Sequence, residues 1–240
     1  MGLFEALSEI FEEKELPEVG QEDLEEASLE PELVEVPGVG EVLVHGNPFE
    51  VGERMDDQQG DNFYQFEGDC GLVTVRNFLA LGGYETSEDE VVGRAIILGQ
   101  CVYSDLNTPE DNGGTSVLHR QTMLETYDIP TVVLDNKATG ASLGAIAAYV
   151  DAGHGVNISV NAGYAWDDPS FIGDGGSNHS ILVTGTAWDK DTGELKGLFV
   201  CDSGLTDRDS KTVFMSVDVL QDAYVNASGT TALVSVNPIR

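Results

Sequence analysis

The stretch "YQFEGDCGLVTVRNFLALGG", residues 64–83, places one cysteine, Cys70, between an acidic loop and an apolar run that ends at two glycines. The run predicts a buried helix that begins near Cys70 and ends at Gly82 and Gly83. Free N–H groups and the dipole at a helix N-terminus favour a thiolate and lower a thiol's pKa. This position suits a nucleophile, although a lone free cysteine is more often a small buried side chain.

Charge and cysteine count narrow the class of protein. The chain of 240 residues has 43 acidic and 11 basic residues, a formal net charge of −32. So few basic residues cannot neutralise phosphates, which argues against nucleic acid and anionic membrane partners. Three cysteines cannot all pair, so at least one thiol is free. No metal-ligand pattern or phosphate-binding loop is present, and we expect no cofactor.

The N-terminal sequence predicts no targeting segment. "MGLFEALSEIFEEKEL" has neither a basic n-region nor an uninterrupted apolar h-region. No apolar run approaches the ~20 residues that span a bilayer. We therefore expect a soluble chain that is cytoplasmic as synthesised, with export only by a non-classical or dedicated secretion route.

A change of composition near residue 50 divides the chain. Residues 1–50 contain 15 Asp or Glu and one Lys, and predict an acidic N-terminal arm ahead of a domain spanning 51–240. The first eleven residues present one apolar helical face, and an acidic, extended linker follows. The arm can be a clasp on the domain, an inhibitory pro-segment or a docking handle for a partner.

The order of elements in residues 51–240 predicts an α+β fold, with a helical first half and antiparallel strands in the second. Helices are expected from Cys70, after the capping box of Ser87 and Glu90, and after a Thr115 cap. The remaining predicted elements are the strand "TVVL", the helix "SLGAIAAYVDAG", the strands "GVNISVN", "HSILVTGTAW", "LKGLFVCD" and "TALVSVN", and a helix around "VDVLQDAYV".

One histidine stands apart as a candidate base. His179 opens an apolar strand, and Asp202 ends the next strand. If the two strands form a hairpin with its turn near Lys190 and Asp191, the residue numbers of cross-strand partners sum to about 381. His179 and Asp202 then lie opposite each other on one face of the sheet. A carboxylate in that position orients an imidazole. Structural roles are expected for the other histidines, His45, His119 and His154.

These motifs resemble the bacteriocin-processing, double-glycine-type peptidases, a papain-like branch of the cysteine peptidases. "QFEGDCG" is similar to that family's nucleophile motif, and "NHSILVTG" and "GLFVCDSG" are similar to its histidine and aspartate strands. The similarity covers about residues 58–238. It implies a papain-like fold, with the helical half packed on an antiparallel sheet, and a protein or peptide substrate.

The resemblance also assigns roles. It implies that Cys70 is the nucleophile, His179 the general base and acid, Asp202 the orienting carboxylate, and Gln65 a donor to the oxyanion hole. The family's glutamine lies six residues before the cysteine and Gln65 lies five, so Asn62 is the alternative donor. Cys101 and Cys201 are expected to be structural. The stretch "ELVEVPGVG", residues 32–40, partly matches a double-glycine leader, but an ordinary linker explains it as well.

Several functions remain open at this level. The preferred interpretation is a cysteine endopeptidase, and a deamidase or transglutaminase would use the same three residues. A peptidoglycan-cleaving cysteine peptidase is the next alternative, although such enzymes usually have Asp-Cys-Ser-Gly where this chain has Asp-Cys-Gly. A binding module on an inactive peptidase fold is the non-enzymatic alternative.

Overall fold

The computed structural model describes residues 31–56, 58–104, 107–205 and 211–240. Within these ranges, eight strands form one antiparallel sheet. The strands are β1 (Glu32–Val36), β2 (Gly40–His45), β3 (Thr131–Asp135), β4 (His154–Val160), β5 (His179–Asp189), β6 (Leu195–Cys201), β7 (Val213–Ser216) and β8 (Thr231–Pro238). The helices are α1 (Pro48–Gly52), α2 (Cys70–Leu81), α3 (Glu88–Leu98), α4 (Val117–Glu125), α5 (Leu143–Asp151), α6 (Ala162–Trp166) and α7 (Val217–Leu220), and a π-turn (Gln221–Asn226) extends α7.

Strand β5 is the centre of the sheet. One of its edges pairs with β6, which pairs in turn with β7. The other edge pairs with β4 near His179 and with β2 near Asp189, and β4 continues through β8 to β3. The start of β5, which carries His179, pairs with β4 on one edge, and the β6 ladder begins three residues later at Leu182 on the other.

Hydrophobic clusters cover both faces of the sheet. One cluster joins α2, α3 and α4 to Leu182 of β5 and Leu233 of β8. The second joins α5, α7 and the π-turn to Ile181 and Val183. Because alternate residues of β5 face opposite clusters, the strand is buried through Ala187, which explains its continuous apolar sequence.

Local sequence signals account for the helix boundaries. Helix α2 begins at Cys70 and ends before Gly82, as predicted. The predicted capping box of α3 is present, with Ser87 accepting from the N–H of Glu90 and the Glu90 carboxylate accepting from the N–H of Ser87. Helix α4 starts one residue later than predicted, because Ser116 and not Thr115 caps it.

Residues 32–40, the end of the stretch for which an extended linker was expected, belong with residues 41–45 to the sheet. They form the β1–β2 hairpin, and β2 pairs with β5 from Thr186 to Asp189. Pro37 and Gly38 make the turn, Gly38 has φ +79°, and the N–H of Val39 donates to the carbonyl of Val36. The sheet thus starts before residue 51, and the leader-like stretch is a hairpin. The helix expected within residues 1–11 lies outside the described residues.

The β5–β6 register also differs from the prediction. Partner numbers sum to 383 at Leu182 and Cys201 and to 384 at Thr186 and Leu198, not to 381. The turn causes the displacement, because the N–H of Asp189 donates to the carbonyl of Glu194 and Trp188 pairs with Leu195, which already gives sums of 383. Bulges on either side of residues 185–187 raise the sum to 384 between them and return it to 383. A two-residue displacement keeps side chains on the same face, so the expected proximity of His179 and Asp202 survives the error.

No helix in the described parts of the chain is long and apolar enough to cross a membrane.

Candidate active site

Helix α2 holds Cys70 against the first residues of β5. The Thr74 hydroxyl, one turn into the helix, contacts the carbonyl of Ser180 at 3.0 Å and that of Cys70 at 2.8 Å. Since Ser180 follows His179, this contact fixes the helix start beside the histidine. The body of α2 is buried almost throughout, so the helix that carries the thiol is held rigidly in place.

His179 and Asp202 form a buried, hydrogen-bonded pair. The His179 Nε2 lies 2.7 Å from Asp202 Oδ1, and the two side chains are 4 % and 0 % exposed. The ring also acts on the Cys70 thiol through its charge and a side-chain hydrogen bond, and both residues line the same pocket. The three residues are therefore joined in a chain from thiol to imidazole to carboxylate.

Trp166 and Gly204 fix the Asp202 carboxylate. The Trp166 Nε1 donates to Asp202 Oδ2 at 2.8 Å, and the Gly204 N–H donates to Oδ1 at 3.0 Å. The indole also packs edge-on against the His179 ring, with centroids 4.9 Å apart. A β-carbon at Gly204 would overlap the indole, which explains the glycine in "CDSG". The sequence analysis missed Trp166, which follows β4 by six residues and carries no motif.

The charges in this chain of residues stabilise one another. Burial alone would raise the pKa of the Cys70 thiol, but the His179 charge and hydrogen bond, the Arg120 charge and a backbone hydrogen bond from Ser180 lower it below its usual value. Burial would lower the pKa of His179, but Asp202 and Cys70 raise it to about 10. The pKa of Asp202 is lowered, since the His179 charge outweighs burial. Each group thus favours the charged form of its neighbour, thiolate beside imidazolium and imidazolium beside carboxylate.

A second buried network lies behind Cys70. The Asn62 amide donates to Asp69 Oδ2 at 3.2 Å and to Glu88 Oε1 at 2.8 Å. Burial raises the pKa of Asp69 to about 6 and that of Glu88 to about 9. Asp69 Oδ1 and Glu88 Oε2 have no donor among the described residues, as expected for a carboxyl and a carboxylate that share a proton.

The structure does not bring the predicted oxyanion donor to the pocket. Gln65 is exposed on the loop before α2, has φ +56°, and does not line the pocket that contains Cys70. Asn62, the alternative, is committed to the buried carboxyl network. Gln59, which the sequence analysis overlooked, donates to the carbonyl of Glu67 at 2.7 Å and contacts Ser203. It therefore links the loop before Cys70 to the residue after Asp202.

A pocket of about 380 Å³ opens beside the thiol. Its lining is polar and combines Cys70 and His179 with hydroxyl side chains and one arginine, Arg120. The lining hydroxyls belong to Thr115, Ser116, Ser159, Ser177, Ser180 and Thr231. No group of metal-ligating side chains occurs in the described ranges. The arrangement can attack an acyl carbon, protonate a leaving group and hold a polar substrate segment.

The other cysteines and histidines lie in structural positions. Cys201 is buried and accepts from Asn77 Nδ2 at 3.3 Å, and burial raises the pKa of Cys101 to about 11. His119 takes part in the cap of α4, and His154 Nδ1 contacts the carbonyl of Ser235.

Comparisons with known proteins give sequence relatives and structural neighbours of different kinds. No family model matches the chain. Uncharacterised proteins of Mycobacterium bovis and Mycobacterium tuberculosis are 30% identical over 135 residues. That alignment covers 49% of this chain and 58% of the relatives' length.

Two solved structures resemble the chain. A Bacillus anthracis protein described as a C39-like peptidase is 15% identical, covers 82% of this chain and 98% of its own, and has a TM-score of 0.50. A double-glycine motif protease from an AMS/PCAT transporter, solved with its leader peptide, is 12% identical over 70% of this chain and 84% of its own, with a TM-score of 0.40. The likeness to the Bacillus anthracis protein shows that the chain has the α+β, papain-like fold of a C39-like peptidase.

Proposed function

We propose that the protein is a cysteine endopeptidase in which Cys70, His179 and Asp202 form the catalytic triad. The observation that carries this proposal is the hydrogen-bonded chain from the Cys70 thiol through His179 to Asp202, at the wall of an open pocket. A buried imidazole held between a thiol and a fixed carboxylate has the arrangement that nucleophilic catalysis requires.

In the acylation half of the reaction, the Cys70 thiolate attacks the carbonyl carbon of the scissile peptide bond. The oxyanion forms near the backbone N–H of Cys70 at the start of α2, ahead of Leu72 and Val73, whose N–H groups donate to the carbonyl of Asp69. The His179 imidazolium then gives its proton to the leaving amine, the C–N bond breaks, and a thioester to Cys70 remains.

In the deacylation half, neutral His179 takes a proton from water, and the hydroxide attacks the thioester. The C–S bond breaks, the thiolate is restored and the carboxylic acid product leaves. Asp202 keeps the ring oriented and stabilises its positive charge in both halves, and Trp166 and Gly204 keep Asp202 in place.

An active-site thiol probe combined with a peptide library tests the proposal. We expect the probe to label Cys70 in the full chain, no label in Cys70→Ala, and cleavage of internal peptide bonds by the wild type alone. Mass spectrometry of the products separates hydrolysis from deamidation or amine transfer, since these change the peptide mass differently. Wild-type protein that is labelled but leaves every peptide, cell-wall fragment and amide substrate unchanged would contradict it.

A further inference from the structure

Arg120 is a buried cation in the wall of the pocket. It lies on α4 and is 4 % exposed. Its guanidinium donates from Nε to Asn157 at 3.0 Å, from Nη1 to Thr115 at 3.2 Å and from Nη2 to Ser159 at 2.6 Å. All three acceptors are neutral, so these bonds orient the group without neutralising its charge.

The charge of Arg120 is not neutralised by a carboxylate in the described parts of the chain, and the negative group that acts on it is the Cys70 thiolate. No carboxylate there forms an ion pair with it. Buried charges are normally paired, and burial lowers the pKa of Arg120 to about 10.

The guanidinium also keeps donors for another group. Arginine has five N–H bonds, and the three described contacts leave two, one on each terminal nitrogen. Such a pair can hold both oxygens of one carboxylate. Thr115 and Ser159, which orient Arg120, line the same pocket.

Arg120 lies directly beside the reacting thiol. A β-carbon on Gly71, the residue after Cys70, would lie 3.2 Å from Arg120 Cδ. The guanidinium also contributes to the charge environment of the Cys70 sulfur. Any carboxylate that reaches Arg120 is therefore close to the bond that Cys70 attacks.

We propose that Arg120 is a specificity residue that binds a carboxylate of the substrate next to the scissile bond. This inference rests on the proposed peptidase function. The carboxylate can come from an Asp or Glu side chain or from the free C-terminus of a peptide. Both share the chemistry that Arg120 recognises, and the peptide experiment below distinguishes them.

Alkylation of Cys70 in the full chain tests the anion site without any substrate. The Cys70 thiolate displaces iodide from iodoacetate or iodoacetamide, so that a C–S bond forms and a C–I bond breaks. We measure both rates at Cys70 by peptide mass spectrometry, as a ratio of iodoacetate to iodoacetamide relative to a small free thiol. Any effect on thiolate content cancels in this ratio, which therefore reports attraction of the carboxylate.

Arg120→Met is expected to lower the ratio about tenfold, and Arg120→Lys to retain part of the preference.

The matched control is Arg240→Met. Arg240 is also buried, and burial lowers its pKa to about 10. It donates to the backbone carbonyls of Val183 and Thr184 and does not line the pocket. Its substitution should leave the ratio unchanged. An unchanged ratio in Arg120→Met overturns the proposal. If Arg120→Met does not fold, a wild-type ratio equal to that of the free thiol overturns it instead.

Peptide turnover then identifies the source of the carboxylate. Three matched sets are compared: Glu against Gln beside the cleaved bond, Asp against Asn at the same place, and a free C-terminus against a C-terminal amide. We expect the wild type to prefer the acidic member of one set in kcat/KM by about tenfold, and Arg120→Met to abolish that preference. Turnover with no preference in any set contradicts the inference and leaves the proposed function standing. An iodoacetate preference without any turnover contradicts the proposed function alone.

Discussion

His179 Nε2 lies 2.7 Å from Asp202 Oδ1, although the two residues are not partners in the β5–β6 ladder. The last ladder pair joins Leu182 to Cys201, one residue before Asp202. Beyond it, the N–H of Gly204 turns back to the Asp202 carboxylate, and Trp166 holds the second oxygen. The contact between His179 and Asp202 therefore depends on the turn at Gly204 and on the Trp166 side chain, not on strand pairing.

Cys70 is expected to be the only thiol that the reaction needs. Cys70→Ser should lower kcat/KM on a cleaved peptide by at least ~10³-fold, because a hydroxyl in this position is a far weaker nucleophile than a thiolate. Cys101→Ser, whose thiol has a raised pKa, is the matched control and should retain activity. Substantial activity in Cys70→Ser, with unchanged thermal unfolding, would refute the assignment.

The indole N–H of Trp166 is expected to act through Asp202. Trp166→Phe keeps a ring against His179 but removes the donor to Asp202 Oδ2, and should lower kcat roughly tenfold with little change in KM. Trp188→Phe is the control. Trp188 lies on β5, does not line the pocket, and donates from Nε1 to Asp151 at 3.0 Å. Equal activity of the two variants in steady-state assays would show that the donor is not needed.

The activity should have a pH profile with two limbs. On the acid side, kcat/KM rises as Cys70 loses its proton, and this limb lies at lower pH than for an ordinary thiol, because the pKa of Cys70 is lowered. On the alkaline side, activity falls as His179 loses its proton through a pKa of about 10. Asp202→Asn removes the largest influence that raises the His179 pKa, so its alkaline limb should move to lower pH. An alkaline limb that stays in place would contradict the described ion pair.

Glu88 is expected to reduce stability as the pH rises. Its folded-state pKa of about 9 exceeds the usual value of 4.5, so between these values the folded state holds a proton that the unfolded state loses. The free energy of unfolding therefore falls with rising pH across this range. Glu88→Gln should weaken that slope and stabilise the protein at pH 8 by about 1–3 kcal/mol, measured by urea unfolding.

The control for this experiment is Glu90→Gln on the same helix. Glu90 is exposed, and glutamine can replace it in the capping box. It should leave the pH dependence of unfolding unchanged. Identical slopes in Glu88→Gln and the wild type would show that the two buried carboxyl groups do not share a proton.

The β1–β2 hairpin is expected to be part of the folded domain. It buries Val36, Val42 and Val44 against Ala187 and Phe199 of the sheet. A variant that starts at residue 47 should lose about 4 kcal/mol or more, at roughly 1.5 kcal/mol for each valine, while a variant that starts at residue 31 keeps the hairpin. Urea unfolding compares the two, and equal midpoints would contradict the prediction. Higher peptidase activity in the residue-31 variant would identify the preceding segment as inhibitory.

Much of the site could be predicted because its signals are local. The apolar run after Cys70, the glycines that end it and the capping box of Ser87 are properties of short segments, and α2 and α3 follow them closely. The strand that opens at His179 is equally visible, since burial on both faces demands continuous apolar sequence. The alternating valines around Pro37 and Gly38 are also typical of a hairpin, but the acidic composition of residues 1–50 favoured the prediction of an extended linker.

Tertiary structure alone decided the rest, because these features depend on segments that are far apart in the chain. The β5–β6 turn is centred one residue later than predicted, which sets the register two residues from the predicted one, and this even displacement preserved the meeting of His179 and Asp202. The family resemblance assigned Gln65 to the oxyanion hole, whereas Gln65 has φ +56° and does not line the pocket that contains Cys70. Trp166 and Arg120 carry no motif. The sequence by itself therefore determined which groups are available for chemistry, and long-range packing determined which of them meet.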